Sequence, residues 1–200
     1  MKAKITPTQR EIPLRPDDII VTKTDLTGRI TYVNRVFMRI ANYTEAQCLG
    51  TQHNLVRHPD MPRGAFKLLW DVLKEEREFF AYVKNMSADG DYYWVFANVT
   101  PDRDAQGKVV GYFSVRRNAK PAALAVVEPI YREMLELERR VGPAQATTAS
   151  AELLAGKLKS LGTSYDRFIL SLSTPGYCPC PTLILPASAA ECPFSAASWF

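Results

Sequence analysis

Three apolar segments in the middle of the chain, EFFAYVKNMS, DYYWVFANVTP and KVVGYFSVRR, are separated only by Ala88-Asp89-Gly90 and by Asp104 to Gly107. Turns that short, rich in Asp and Gly, join antiparallel neighbours. A parallel pair would need a crossover of about a dozen residues or more. These segments are therefore three antiparallel strands. In the middle one, Tyr92, Trp94, Phe96 and Asn98 alternate with Tyr93, Val95, Ala97 and Val99. Neither set is polar, so both faces of the sheet must be covered. Helices take one face. The N-terminal lead-in, a C-terminal helix or a second copy of the chain takes the other.

Two further strands come earlier. IIVTKTD (19–25) and RITYV (29–33) flank a turn at 25–28. Asn34 is placed to cap a helix in NRVFMRIANY, and Thr44 to cap a shorter one in TEAQCLG. From Arg63 to about Glu76, residues Phe66, Leu69, Trp70 and Leu73 fall at i, i+3, i+4 and i+7, a single apolar helical face. The order of elements gives an α+β fold: a five-stranded antiparallel sheet with short helices on one face, plus C-terminal helices.

The expected organisation is an extended lead-in (1–18), an α+β domain (19–118), a C-terminal helix (119–142), a second helical segment (148–172) and an irregular tail (173–200). Pro129 is expected to kink or restart the first C-terminal helix, and Ser150 to cap the second. Net charge is +4, with acids interspersed among the bases, so no nucleic-acid stripe is present. No run of apolar residues is long enough to span a bilayer, and the N-terminus carries no secretory core. Cys48 stands apart from Cys178, Cys180 and Cys192; this is no disulfide framework, and a reducing cytoplasm is expected. There is no glycine-rich nucleotide loop and no nucleophile motif, so an enzyme is not expected.

Two longer runs are distinctive. The first, TKTDLTGRITYVNRVFMRIANYTEAQCLGTQHNLVRHPDMPRGAFKLLWDVLK, contains both histidines within HNLVRHPDMP. The second is AYVKNMSADGDYYWVFANVTPDRDAQGKVVGYFSVRR. Together they resemble the PAS sensor domain of bacterial aerotaxis receptors and their short soluble relatives. The resemblance implies a PAS fold enclosing a cavity, with non-covalently bound FAD reporting redox or oxygen status to the chemotaxis machinery. It also implies a homodimer, through the sheet face or the C-terminal helix, and output to a chemoreceptor or another signalling protein. The positions that match are Asn34, Arg57, His58, Asp60, Trp70, Asn85 and Trp94. Two departures stand out: Phe79 lies near a position where those receptors carry Trp, and Tyr82 adds bulk that would narrow the site. The membrane anchor and signalling hairpin of the receptors have no counterpart here.

Each of these residues also has a plainer role. Arg57 either grips an anionic group or pairs with Asp60 at the surface. His58 either touches the cofactor, ligates a haem, or bonds nearby backbone; His53 reads as a helix-end residue. Asp60 and Asn34 are sufficient as helix caps. Trp70 and Trp94 suit a core as well as a ring pocket. Asn85 is the most telling, because an inward amide in a strand needs a partner. Besides FAD, the alternatives are a haem gas sensor and a cofactor-free dimerisation module whose cavity is filled by Phe79, Phe80 and Tyr82. A photoreceptor of the LOV kind is disfavoured, since no cysteine lies in HNLVRH. No zinc site is expected from two histidines five residues apart.

Overall fold

Each short turn is closed by a side chain of its own. Asp25 Oδ1 accepts from the amides of Thr27 (2.8 Å) and Arg29 (2.9 Å). Asp104 Oδ1 accepts from those of Gln106 (3.0 Å) and Lys108 (2.9 Å), and Ser87 Oγ from that of Asp89 (3.2 Å). Such side-chain caps preset the reversal before the strands pair. At Gly90 the requirement for glycine is double. Its φ is +90°, and a Cβ there would stand 2.1 Å from the carbonyl oxygen of Thr6.

The computed structural model describes residues 5–173. The turns connect β1 (Ile20–Asp25) to β2 (Ile30–Val33), β3 (Phe79–Met86) to β4 (Tyr92–Arg103), and β4 to β5 (Val109–Asn118). The five strands form one sheet in the order β2-β1-β5-β4-β3, and every pairing is antiparallel. The fold class is that expected from the turns. Between β2 and β3 lie α1 (Arg35–Ala41), α2 (Glu45–Cys48), a 3-10 turn (His53–Val56) and α3 (Arg63–Lys74). Thr44 and Gln47 form a reciprocal capping box at the start of α2.

Register decides which side chains share a face. Asn85 pairs with Tyr93, Val83 with Val95, Ala81 with Ala97 and Phe79 with Val99; across β5, Ala97 pairs with Arg116 and Val99 with Ser114. These residues face α1–α3. Tyr82, Trp94 and Phe96 face the other way. There they meet α4 (Pro121–Val141), which buries Ala123, Val127, Tyr131 and Met134 against them. The Tyr131 hydroxyl donates to the Tyr82 carbonyl at 2.9 Å. So the C-terminal helix is the principal cover of the outer face around Trp94. The lead-in covers its end, through amide bonds from Thr8 to the Gly90 carbonyl and from Ile12 to that of Tyr92. Arg10 and Thr8 both engage the Asp91 carboxylate. A self-association surface centred on Trp94 is therefore already occupied by the chain's own helix.

Pro129 sits inside a continuous α4, so the helix does not restart there. The C-terminal helices differ from expectation in one place. The next helix, α5 (Ala146–Ser160), begins four residues before Ser150, so Ser150 is no cap. It is fully buried where α5 crosses α3, and its hydroxyl donates to Glu138 Oε1 at 2.6 Å. A Cβ on Gly64 of α3 would approach Ser150 Oγ to 2.4 Å and the Ala151 nitrogen to 2.6 Å. Only glycine lets the two helices come this close. A final helix, α6 (Tyr165–Ser171), stacks Tyr165 on Phe79, with ring centroids 5.1 Å apart. The expected irregular tail lies, apart from its first residue, outside the described residues.

Candidate functional site

The long apolar face read in α3 does not close onto the sheet. Phe66, Leu69, Trp70 and Leu73 line one wall of a cavity of about 280 Å³, and Ala81, Val83, Ala97 and Val99 line the opposite one. At its mouth Trp70 is 36% exposed and meets Tyr112 edge-on at 5.6 Å. Gly28 makes room there, since a Cβ would sit 3.3 Å from the indole.

The other end of the cavity is polar. Thr22 and Ser114 reach it from adjacent strands, His53 from the 3-10 turn, Asn85 from β3 and Arg116 from β5. Arg116 is 5% exposed. One of its terminal nitrogens donates to Thr22 Oγ1 (2.9 Å) and to His53 Nε2 (2.7 Å). A guanidinium has no acceptor atom, so Nε2 must carry a lone pair and the imidazole is neutral. Burial, and then the charge of Arg116, push the His53 pKa down to about 3. Burial also lowers that of Arg116 to about 10, which leaves it charged at neutral pH. Three buried groups on this wall lack a hydrogen-bond partner: Arg116 Nη1, Asn85 Nδ2 and Ser114 Oγ.

The seven positions singled out from sequence separate into three groups. Arg57, Trp70 and Asn85 line the cavity. Arg57 is half-buried rather than paired with Asp60. Its guanidinium lies 4.4 Å over the Phe66 ring and donates to the Met61 carbonyl at 3.0 Å. Its backbone forms a bridge with Asn85, which ties the loop to β3.

His58 and Asp60 lie on the outer side of that loop. His58 Nδ1 accepts from the Asp60 amide (3.1 Å), and burial, then the charge of Lys84, lower its pKa. Asp60 pairs with Lys84 Nζ at 2.8 Å and caps no helix. Burial opposes ionisation of that carboxyl, but the Lys84 hydrogen bond and charge prevail and its pKa falls. The α3 N-terminus is capped instead by Glu138 of α4, whose Oε1 accepts from the amides of Arg63 (2.7 Å) and Gly64 (3.2 Å).

Asn34 and Trp94 are brought to neither side of the loop. Asn34 Oδ1 accepts from the amides of Phe37 (2.9 Å) and Val21 (3.1 Å), and its Nδ2 donates to the Ile19 carbonyl (2.7 Å). It is a cap and a strand tie. Trp94 lies on the far face, because the register that points Asn85 inward points Tyr93 inward with it. The two departures from the resemblance resolve in opposite ways. Tyr82 faces α4 and takes nothing from the cavity, while Phe79 forms part of its wall. Phe80 packs on Phe96 outside, at 5.9 Å. Cys48 is buried among α1, α2 and the sheet, away from the cavity lining.

Sequence reading missed His53, Arg116, Thr22 and Ser114. A signal was present in β5: Tyr112, Ser114 and Arg116 alternate, so a charged residue shares the inward register.

Residues 30–116 match a family described as the PAS fold. Over those residues the chain has the PAS fold. It is 41% identical over 127 residues to the aerotaxis receptor of Escherichia coli K12, spanning 64% of this chain and 25% of that one. It is 28% identical over 100 residues to a nitrogen fixation regulatory protein of Klebsiella pneumoniae, spanning 50% and 20% respectively. The LOV domain of a blue-light activated histidine kinase from Erythrobacter litoralis aligns with a TM-score of 0.45 and 21% identity, over 49% of this chain and 93% of that structure. The chain thus spans about a quarter or less of the length of these two curated relatives. Most of the cavity lining falls within the matched region, whereas all of α4, α5 and α6 follow it. Among the described residues no helix is long and apolar enough to cross a membrane.

Proposed function

We propose that the cavity holds the ring system of a flavin, FAD, and that the chain is a redox sensor for chemotaxis-type signalling in the cytoplasm. The observation that carries this reading is the set of unpartnered buried groups, Arg116 Nη1, Asn85 Nδ2 and Ser114 Oγ, on residues that line one largely apolar cavity. Each unsatisfied buried polar group costs about 1–3 kcal/mol. A flat, largely apolar ligand with polar atoms at its rim offers partners to groups of this kind. The similarity to a protein named aerotaxis receptor supports the same output.

When bound, a flavin supplies reversible electron uptake with a change of charge on its ring. The chain's part is electrostatic. The Arg116 guanidinium is held by neutral partners, Thr22 and His53, with no carboxylate to neutralise it. A buried, uncompensated cation favours whichever ligand state carries more negative charge. Asn85 offers an amide that both donates and accepts, so it can follow a change of protonation at the ring edge. Its strand lies under α4 through Tyr82, so a shift in β3 reaches the C-terminal helices. Because α4–α6 are tied to that strand and to α3, they are the natural route to a chemoreceptor or to a second copy of the chain. Signalling of this kind requires the two redox states to differ in their preference for two protein states.

A haem reading has less support. His53 Nε2 is turned onto a guanidinium, and His58 does not line the cavity. The test is direct. Full-length protein purified from its native host should carry extractable FAD with flavin absorbance, and Arg116→Met or Asn85→Leu should weaken reconstitution by roughly tenfold or more. A colourless protein that also fails to take up added FAD overturns the proposal.

A further inference from the structure

A cavity of about 280 Å³ lies just below the usual range for small-molecule sites, roughly 300–1,000 Å³. It has room for a tricyclic ring and little else. A dinucleotide must therefore place its ribityl, phosphate and adenosine parts elsewhere. Besides the mouth beside Trp70, one continuation leads toward the C-terminal helices. A groove of about 730 Å³ runs between the His58–Arg63 loop and the C-terminal helices, and it shares two lining residues, Asn54 and Arg57, with the cavity. The cavity and the groove thus adjoin at those two residues.

The groove is basic. Arg57, Arg63 and Arg139 line it, with His58 beside them and Glu138 as its one carboxylate. Glu138 is already committed, since a single oxygen accepts from the Arg63 and Gly64 amides and from Ser150 Oγ. The nearby Asp60 is paired with Lys84. Among the described residues none of the three arginines forms an ion pair. Three arginines lining one groove, none of them in an ion pair among the described residues, supply charge and donors suited to phosphate oxygens.

We infer that this groove is the subsite for the phosphate-bearing tail of the cavity's ligand, and that Arg139 of α4 completes it. The inference rests on the flavin reading above. It adds that the cofactor site is not confined to the PAS domain: a helix beyond the matched family region supplies part of the anion grip. Ligand binding and the docking of α4 are then linked, because Arg139 sits one residue from the Glu138 that caps α3.

The test uses the full chain stripped of ligand and titrated by fluorescence with two probes, FAD and riboflavin, which share the ring and differ in the phosphate tail. Wild type should bind FAD at least tenfold more tightly. The double variant R63A/R139A should lose roughly tenfold or more in FAD affinity with riboflavin unchanged. Raising salt should weaken FAD binding to the wild type and leave riboflavin unaffected, which checks the same point without a variant. Equal affinity of wild type for the two probes, or a variant that weakens both alike, overturns the inference while leaving the ring site standing. Failure of both probes to bind the wild type overturns the flavin reading itself, and this inference with it.

Discussion

Lowering the pH below neutrality should destabilise the ligand-free protein, mainly through His53. In the unfolded chain its pKa is near 6.5; in the fold, burial and Arg116 hold it at about 3. Between those values the unfolded state binds more protons, so stability is complete above the unfolded pKa and declines as pH falls toward the folded one. Each pH unit in that window costs about 1.4 kcal/mol. From pH ~7.5 to pH ~5 the loss from this one residue is about 2 kcal/mol, a large share of a typical domain's stability. Most carboxylates remain ionised over this range and contribute little. His58 is depressed as well and adds in the same direction. Comparison with His53→Gln isolates the effect, because an amide can accept from Arg116 without titrating. Urea unfolding at the two pH values should show the variant losing about 2 kcal/mol less than wild type. If the variant shows the same pH dependence as wild type, the imidazole is not held neutral by that guanidinium and the electrostatic account of the cavity is wrong.

Asn85→Leu should raise the urea midpoint of the ligand-free protein by about 1 kcal/mol of stability, since it removes an unsatisfied buried amide, even as it weakens FAD uptake. Gly64→Ala should cost about 2–3 kcal/mol in the same assay, because its Cβ has no space against Ser150 and Ala151 and α3 must part from α5. Glu138→Ala should cost about 1–2 kcal/mol, chiefly by leaving the Arg63 amide without its acceptor while the Gly64 amide keeps Ser150 Oγ, and Glu138→Gln should recover part of that. A circular dichroism melt of each variant would separate these local losses from outright failure to fold.

The sheet was legible because its information is local. Asp25, Ser87 and Asp104 each close a turn within four residues of themselves, so the reversals and antiparallel order could be read from short windows. The apolar face of α3 was legible for the same reason. What it faces was not, because periodicity shows which side is apolar but not whether the opposing sheet closes onto it. Trp94 went astray by one position of register: its neighbour Tyr93, not Trp94, pairs with Asn85, and in a strand one residue reverses the face. Asp60 was read as a helix cap because it is close in sequence, whereas the carboxylate that performs the task is 75 residues from Arg63. Arg116 looked like one of two basic residues ending a strand. Its significance lies in what surrounds it, with Thr22 and His53 brought from 94 and 63 positions away.

The late arrival of Glu138 bears on how the protein is made. During synthesis the first turn of α3 leaves the ribosome long before its acceptor exists, and β3, β4 and β5 can zip together while those two amides still point at water. The wall that carries Phe66 and Trp70 is secured only when α4 and α5 swing back and Ser150 drops beside Gly64. Sensor maturation should therefore be a final, long-range locking event, and a chain halted near residue 120 would possess the sheet yet lack a firmly seated third helix.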